Sequence, residues 1–350
     1  AFWEAFYEMK EKVTRDRSKR MLWDAFDVFL SNNNLFFDVP NQSINEETCG
    51  GMNLMKIRQQ KGGAGIKFIP KKFPKIDDLS DDDDNRLNAV FLTVSDTSDC
   101  ESLSKRFGVI VFNLSMIFSA KHVFVDNRIS FDISNGQNWN YLCELKGKCP
   151  SISCCNSLVV VDRYILSDVS DRVIDVNLKP IFDALLPYSL DNDIVFTICI
   201  IAEKMGTSID AKSIKLENLV KSLRPNLKFK LNIFSSKKLH DRSILTNNIL
   251  LTSGAGFDVI GTNEMALKFT TTSLCFPFLQ SDISDSSIYI DWINNVLKVE
   301  RSCRSYKENY WGDEKTRHHL LDYYYEEPIL PRATYTIGAA FSELLLQARA

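Results

Sequence analysis

The chain has 350 residues, 45% of them apolar and 25% charged, and a net charge of −3. That is the composition of a globular chain long enough for two cores of ordinary size, and it excludes both a disordered chain and one drawn to polyanions by bulk charge. Nine cysteines at irregular spacing argue against a disulfide framework and for a reducing, cytoplasmic setting. The longest apolar stretches, such as 194–202, have strand length and are too short to span a bilayer, and the charged, amphipathic start of the chain has no apolar signal region.

Residues 1–30 place Phe2, Phe6, Met9 and Val13, then Met21, Leu22, Ala25, Phe26 and Phe29, at helical spacing, which predicts packing helices. The basic run between them, Lys10 to Arg20, reads as a solvated face. A first α/β domain is expected over 31–150. Its first strand, 34–39, carries Asp38 near its end, where an open α/β sheet has its ligand crevice; a turn or cap Asp is the plainer alternative. Residues 50–80 read as an irregular loop. Its Gly-Gly-Ala-Gly piece lacks the Lys-Ser/Thr of a P-loop, and its lysines make it a place where a polyanion could lie. An acidic run ending in Asp83 and Asp84 opens a helix; then follow a strand over 89–94, Ser95-Asp96, a helix over 99–107, a turn at Gly108 and a strand over 109–112. Strand-like pieces at 122–126 and 129–133 and a loop with Trp139 and Tyr141 read as the tail of this domain. Cys143, Cys149, Cys154 and Cys155 cluster without the paired C-x2-C of a zinc site and read as free thiols.

A second domain is expected over 156–300. A buried strand ends in Asp162-Arg163-Tyr164-Ile165, followed by a helix at 178–186, a strand at 193–202, a helix at 214–223, a strand at 228–234 and a hairpin over 239–260. This layout brings Asp162, Tyr164 and His240 towards one crevice, where Asp162 could orient an imidazole. Beyond Lys268 the pattern weakens; helices are expected at 289–297 and 315–325, with 301–350 as a helical tail whose His318-His319 pair and tyrosine run are packing residues.

In the hairpin, His240, Arg242, Asn247 and the Gly-rich turn at Gly254 share the spacing of a phosphate site, since imidazole, guanidinium and bare amides suit an oxyanion. The stretch resembles the phospholipase D half-motif H-x-K-x4-D-x6-G-S. It is more similar to the phospholipase D-like C-terminal domain of MIT-domain proteins that bind ESCRT-III, with its HDR, polar pair and Gly-rich turn ending in Gly256-Phe257-Asp258. Asp162 to Ile165 is similar to the DPYI first strand of such domains, with Arg163 where Pro usually stands. Arg242 replaces the Lys and Asn247 the Asp, and the four histidines offer no second H-x-K, so phospholipase D chemistry would require a homodimer. The resemblance implies a phosphate site of His240, Arg242, Asn247, Gly254, Asp162 and Tyr164; an ordinary hairpin with a satisfied histidine remains the alternative.

The order from Asp38 to Phe112 resembles PIN and NYN-type nuclease domains. That likeness implies that Asp38, Asp83 or Asp84, and Asp96, with Asp99 as a further ligand, converge on Mg²⁺ or Mn²⁺, because several carboxylates share a site only around a cation. A solvated acidic loop beside an ordinary α/β unit fits the same residues. Together the two resemblances lead to the expectation of a two-domain α/β protein, PIN-like then phospholipase D-like, that cuts nucleic acid, RNA favoured, in the cytoplasm, alone, as a homo-oligomer or in an assembly, and that would suit microbial antiviral defence. The competing expectation is a non-catalytic module for a phosphate-bearing ligand, an anionic lipid or a partner protein.

Overall fold

Two helices open the chain, α1 (Phe2–Val13) and α2 (Arg17–Asn32). Asp16 sets the break between them: its carboxylate accepts from Ser18 N–H at 3.1 Å and Lys19 N–H at 3.4 Å, an N-cap for α2. Trp23 and Phe26 on α2 are buried, and Trp23 stacks on Phe118 at 6.3 Å between ring centroids. The computed structural model describes residues 2–13, 15–32, 35–37, 66–69, 90–93, 97–108, 110–119, 128–134, 137–190, 194–238, 242–261 and most of 263–276 and 292–312.

The protein is α/β, built on two sheets. The first has β1 (Leu35–Phe37), β2 (Ile66–Ile69), β3 (Val90–Thr93) and β4 (Ile110–Phe112), all parallel and in chain order. Helix α3 (Thr97–Phe107) crosses from β3 to β4 and ends on Gly108, at φ 64°, where a Cβ would collide with the carbonyl of Cys155. The expectation of an irregular 50–80 is corrected by β2, which lies between β1 and β3. Four residues between Gly-rich and Pro/Lys-rich flanks carry too little periodicity to read as a strand; parallel neighbours on both sides define it.

The second sheet has the order β12-β8-β7-β6-β9-β10-β11-β5. Its parallel centre is β6 (Ser157–Val161), β7 (Phe196–Ala202) and β8 (Phe229–Ser235), connected through α5 (Lys179–Leu185) and α6 (Ile209–Leu223). Every residue of β6 and β7 is buried, as the near-continuous apolar runs require of strands covered on both faces. The hairpin β9 (Ser243–Thr246) and β10 (Leu250–Ser253) continues the sheet antiparallel, followed by β11 (Thr270–Cys275) and β5 (Arg128–Ile133); β12 (Tyr310–Trp311) closes the other edge on β8.

Strand β5 corrects a boundary. Sequence places it in the tail of a first domain ending at 150, whereas it pairs with β11 from Arg128↔Cys275 to Ile133↔Thr270. Helix α4 (Tyr141–Lys148) belongs with it, reaching α5 through Lys146 Nζ to Asp183 O at 3.2 Å. Buried side chains form one cluster that runs from Trp23, Phe26 and Ile110 into the core of the second sheet. Among the described residues no helix is long and apolar enough to cross a membrane.

Candidate phosphate-binding crevice

The second sheet puts its parallel strand ends and the open ends of the β9–β10 hairpin at one edge, because Val161 pairs with Ser243 and Ser243 with Thr252. Asp162, the first residue past β6, is fully buried there. Its Oδ1 accepts from Tyr164 N–H at 2.8 Å and Ile165 N–H at 3.1 Å, and its Oδ2 from Phe257 N–H at 2.6 Å. One carboxylate thus ties the loop leaving β6 to the turn leaving β10. Burial pushes the Asp162 carboxyl above its usual range, while those amides and the Arg242 guanidinium pull it back. Its oxygens serve these backbone amides; the His240 imidazole that sequence reading set beside Asp162 lies outside the described residues.

Arg242, half-buried, lies over the same turn and donates from Nη1 to Gly254 O at 2.9 Å. Its buried Nε has no hydrogen-bond partner among the described residues. Gly256, at φ 98°, lets the two side chains approach: a Cβ there would lie 2.5 Å from Asp162 Oδ2 and 2.8 Å from Arg242 Cδ. Ser253 Oγ donates to Gly256 O at 2.6 Å, and Ala255 N–H to Thr270 Oγ1 at 2.9 Å, which hold the turn against β11. Beneath it, the Phe257 ring packs 5.5 Å from that of Trp139, whose Nε1 donates to Asn177 Oδ1 at 3.0 Å; Asn177 also takes Ile260 N–H at 3.0 Å and donates to Ile260 O at 2.8 Å.

Three cations surround Tyr164: Lys204 at 5.2 Å, Arg163 at 5.3 Å and Lys268 at 5.8 Å from the ring centroid. Arg163 is bonded to Glu203, with Nη2 to Oε1 at 3.0 Å. That hydrogen bond, with the charges of Arg163, Lys237 and Lys204, holds the Glu203 carboxyl below its usual range. Lys268 lies 3.5 Å from Asp258, a half-buried carboxyl raised by burial and by the neighbouring Asp162 charge. The crevice therefore sets four cations, Arg163, Lys204, Arg242 and Lys268, against three carboxylates, Asp162, Glu203 and Asp258.

Of the residues read as a phosphate site, the structure brings together Asp162, Tyr164, Arg242 and Gly254. Asn247 stands apart, in the turn at the other end of β9. It is buried, donates from Nδ2 to Gly108 O at 3.0 Å and accepts from Asn156 N–H at 3.0 Å. Four strand residues, about 13 Å of chain, separate it from Arg242, and its role is to join the α3–β4 turn to the start of β6. His240 lies outside the described residues, as do Asp38, Asp83, Asp84 and Asp96; Asp99 sits on α3, its side chain likewise outside them. Among the described residues no group of three or more His, Cys, Asp or Glu could hold a metal ion. The clustered cysteines are free thiols, and burial pushes Cys149 up to about 11 and Cys154 to about 12. Sequence reading missed Lys204, Lys268 and the Trp139–Asn177 support, and named Gly256 only as part of the Gly-rich turn. Lys204 alone carried a signal, a cation two residues past a parallel strand.

No protein-family model matches the chain. No curated protein matches it. Among solved structures it is similar to TrmBL2, an archaeal chromatin protein whose structure shows a novel mode of DNA binding, with a TM-score of 0.25 and 8% identity, over 53% of this chain and 58% of that chain. The match spans little more than half of either chain, and at that TM-score it transfers neither fold nor function.

Proposed function

We propose that the crevice at the end of β6 binds a phosphate group of a larger ligand, a nucleic-acid backbone foremost. The observation that carries this is Arg242: a half-buried guanidinium held against a Gly-rich turn by a hydrogen bond from Nη1, its buried Nε unpaired among the described residues. A planar guanidinium at the strand ends of an α/β sheet is suited to an oxyanion. Free thiols at all described cysteines support a reducing compartment.

The test is fluorescence anisotropy of labelled single-stranded RNA and DNA at several salt concentrations, for the native protein and Arg242→Gln. Loss of one charge-assisted contact weakens binding roughly tenfold and reduces the slope of log K against log salt by about one. Equal affinities and slopes would overturn the assignment.

A cleaving function is a second reading, supported by the parallel register Phe37↔Phe68 and Phe68↔Leu92, which sets the ends of β1 and β3 level and about 10 Å apart. Asp38 and Asp96 follow those strands in sequence. With Asp83 or Asp84 and Asp99 they would supply hard oxygen donors for Mg²⁺ or Mn²⁺, which would activate water and neutralise phosphodiester charge. RNA cleavage in either metal that is lost in Asp96→Asn supports it; no cleavage removes it and leaves the binding function standing.

A further inference from the structure

We infer that the ring of Tyr164 marks a second anion subsite in the same crevice as Arg242, formed by Lys204 and Lys268, so that the ligand presents two phosphate groups. This rests on the phosphate-binding function proposed for Arg242.

Three cations within 6 Å of one ring centroid repel one another. The Tyr164 ring offsets part of that repulsion by cation–π attraction, and Glu203 neutralises Arg163. The charges of Lys204 and Lys237 also act on Glu203, so this carboxylate is shared among three cations. Lys268 has Asp258 at 3.5 Å, a long contact to a carboxyl whose Oδ1 forms no hydrogen bond among the described residues. The exposed ammonium of Lys204 and that of Lys268 therefore flank Tyr164 with less negative charge than they balance. Asp162 joins this group to the first subsite, since its two oxygens hold Tyr164 N–H on one side and the Phe257 amide beside Arg242 on the other. Two oxyanions held side by side suit consecutive phosphates of a polynucleotide or of a condensed phosphate chain. Asp258 competes with the second of them for Lys268.

Calorimetric titration with orthophosphate, tripolyphosphate and a short oligothymidylate tests this on the full chain, using Lys204→Gln, Lys268→Gln, Asp258→Asn and Arg242→Gln. Tripolyphosphate binds at least roughly tenfold more tightly than orthophosphate. Each lysine change lowers tripolyphosphate affinity roughly fivefold, Arg242→Gln lowers the affinity for both ligands, and Asp258→Asn raises tripolyphosphate affinity roughly fivefold. The same lysine dependence for the oligothymidylate identifies a polynucleotide, and its restriction to tripolyphosphate a condensed phosphate. If orthophosphate binds through Arg242 but tripolyphosphate gains nothing, the second subsite is overturned; if neither binds, the phosphate-binding function itself fails.

Discussion

Two glycines in one turn should respond very differently to the same added methyl group. At Gly256 the backbone has φ 98°, and a Cβ would meet Asp162 Oδ2 at 2.5 Å, Arg242 Cδ at 2.8 Å and Arg242 Nε at 3.2 Å. Alanine in a left-handed conformation costs about 1–2 kcal/mol. Moving Asp162 away from the Phe257 amide would leave a buried donor and acceptor poorly paired, about 1–3 kcal/mol more. Gly256→Ala should therefore lose about 2–5 kcal/mol in urea denaturation followed by tryptophan fluorescence, for which buried Trp139 against Phe257 is a local reporter. It should also weaken the proposed phosphate binding while still folded, because the clash is with the Arg242 side chain. At Gly254 the nearest atom to an added Cβ is Thr270 Oγ1 at 3.6 Å, ordinary contact, and Gly254→Ala should change stability by less than about 0.5 kcal/mol. If the two variants are equally stable, or Gly256→Ala binds orthophosphate as the native protein does, the turn is not the rigid support described.

Asn247→Ala leaves Gly108 O and Asn156 N–H without their partner, so it should destabilise by about 2–4 kcal/mol in the same denaturation assay while the folded fraction binds orthophosphate normally. Asp258 has a native pKa raised above the ordinary 3.8, so the folded state holds its proton to higher pH than the unfolded chain. Stability from this group is greatest at low pH and falls as pH rises from 3.8 through the raised value, and Asp258→Asn should remove that part of the pH profile. With Cys149 and Cys154 pushed up to about 11 and about 12, iodoacetamide at pH 8 should modify neither in the folded protein and both in urea, read by peptide mass spectrometry; rapid labelling in the fold would contradict their burial.

The centre of the second sheet is legible from sequence because β6, β7 and β8 are apolar runs separated by helices with clear ends, such as Ser208, whose Oγ caps α6 at Ala211 N–H at 3.2 Å. The sheet's outer half is not. Strand β11 reads TTTSLC, a weak pattern, and its pairing partners β10 and β5 lie on either side in space but far apart in sequence. Arg242 and Gly254 fall at the crevice because both border the open end of the hairpin, which the spacing of the motif does reveal. Asn247 fails as a ligand for the same reason: a hairpin turn necessarily lies at the far end from the residues that enter and leave it. Lys204 and Lys268 come from separate connections and meet only over Tyr164, so no local pattern announces their meeting.

A crystal structure of the protein soaked with tungstate, an electron-dense phosphate mimic, tests the central claim most directly. One anion should appear against the Arg242 guanidinium beside the Gly254–Gly256 turn and a second between Lys204 and Lys268 over the Tyr164 ring. Ordered tungstate elsewhere on the molecule with none at Arg242 would contradict it.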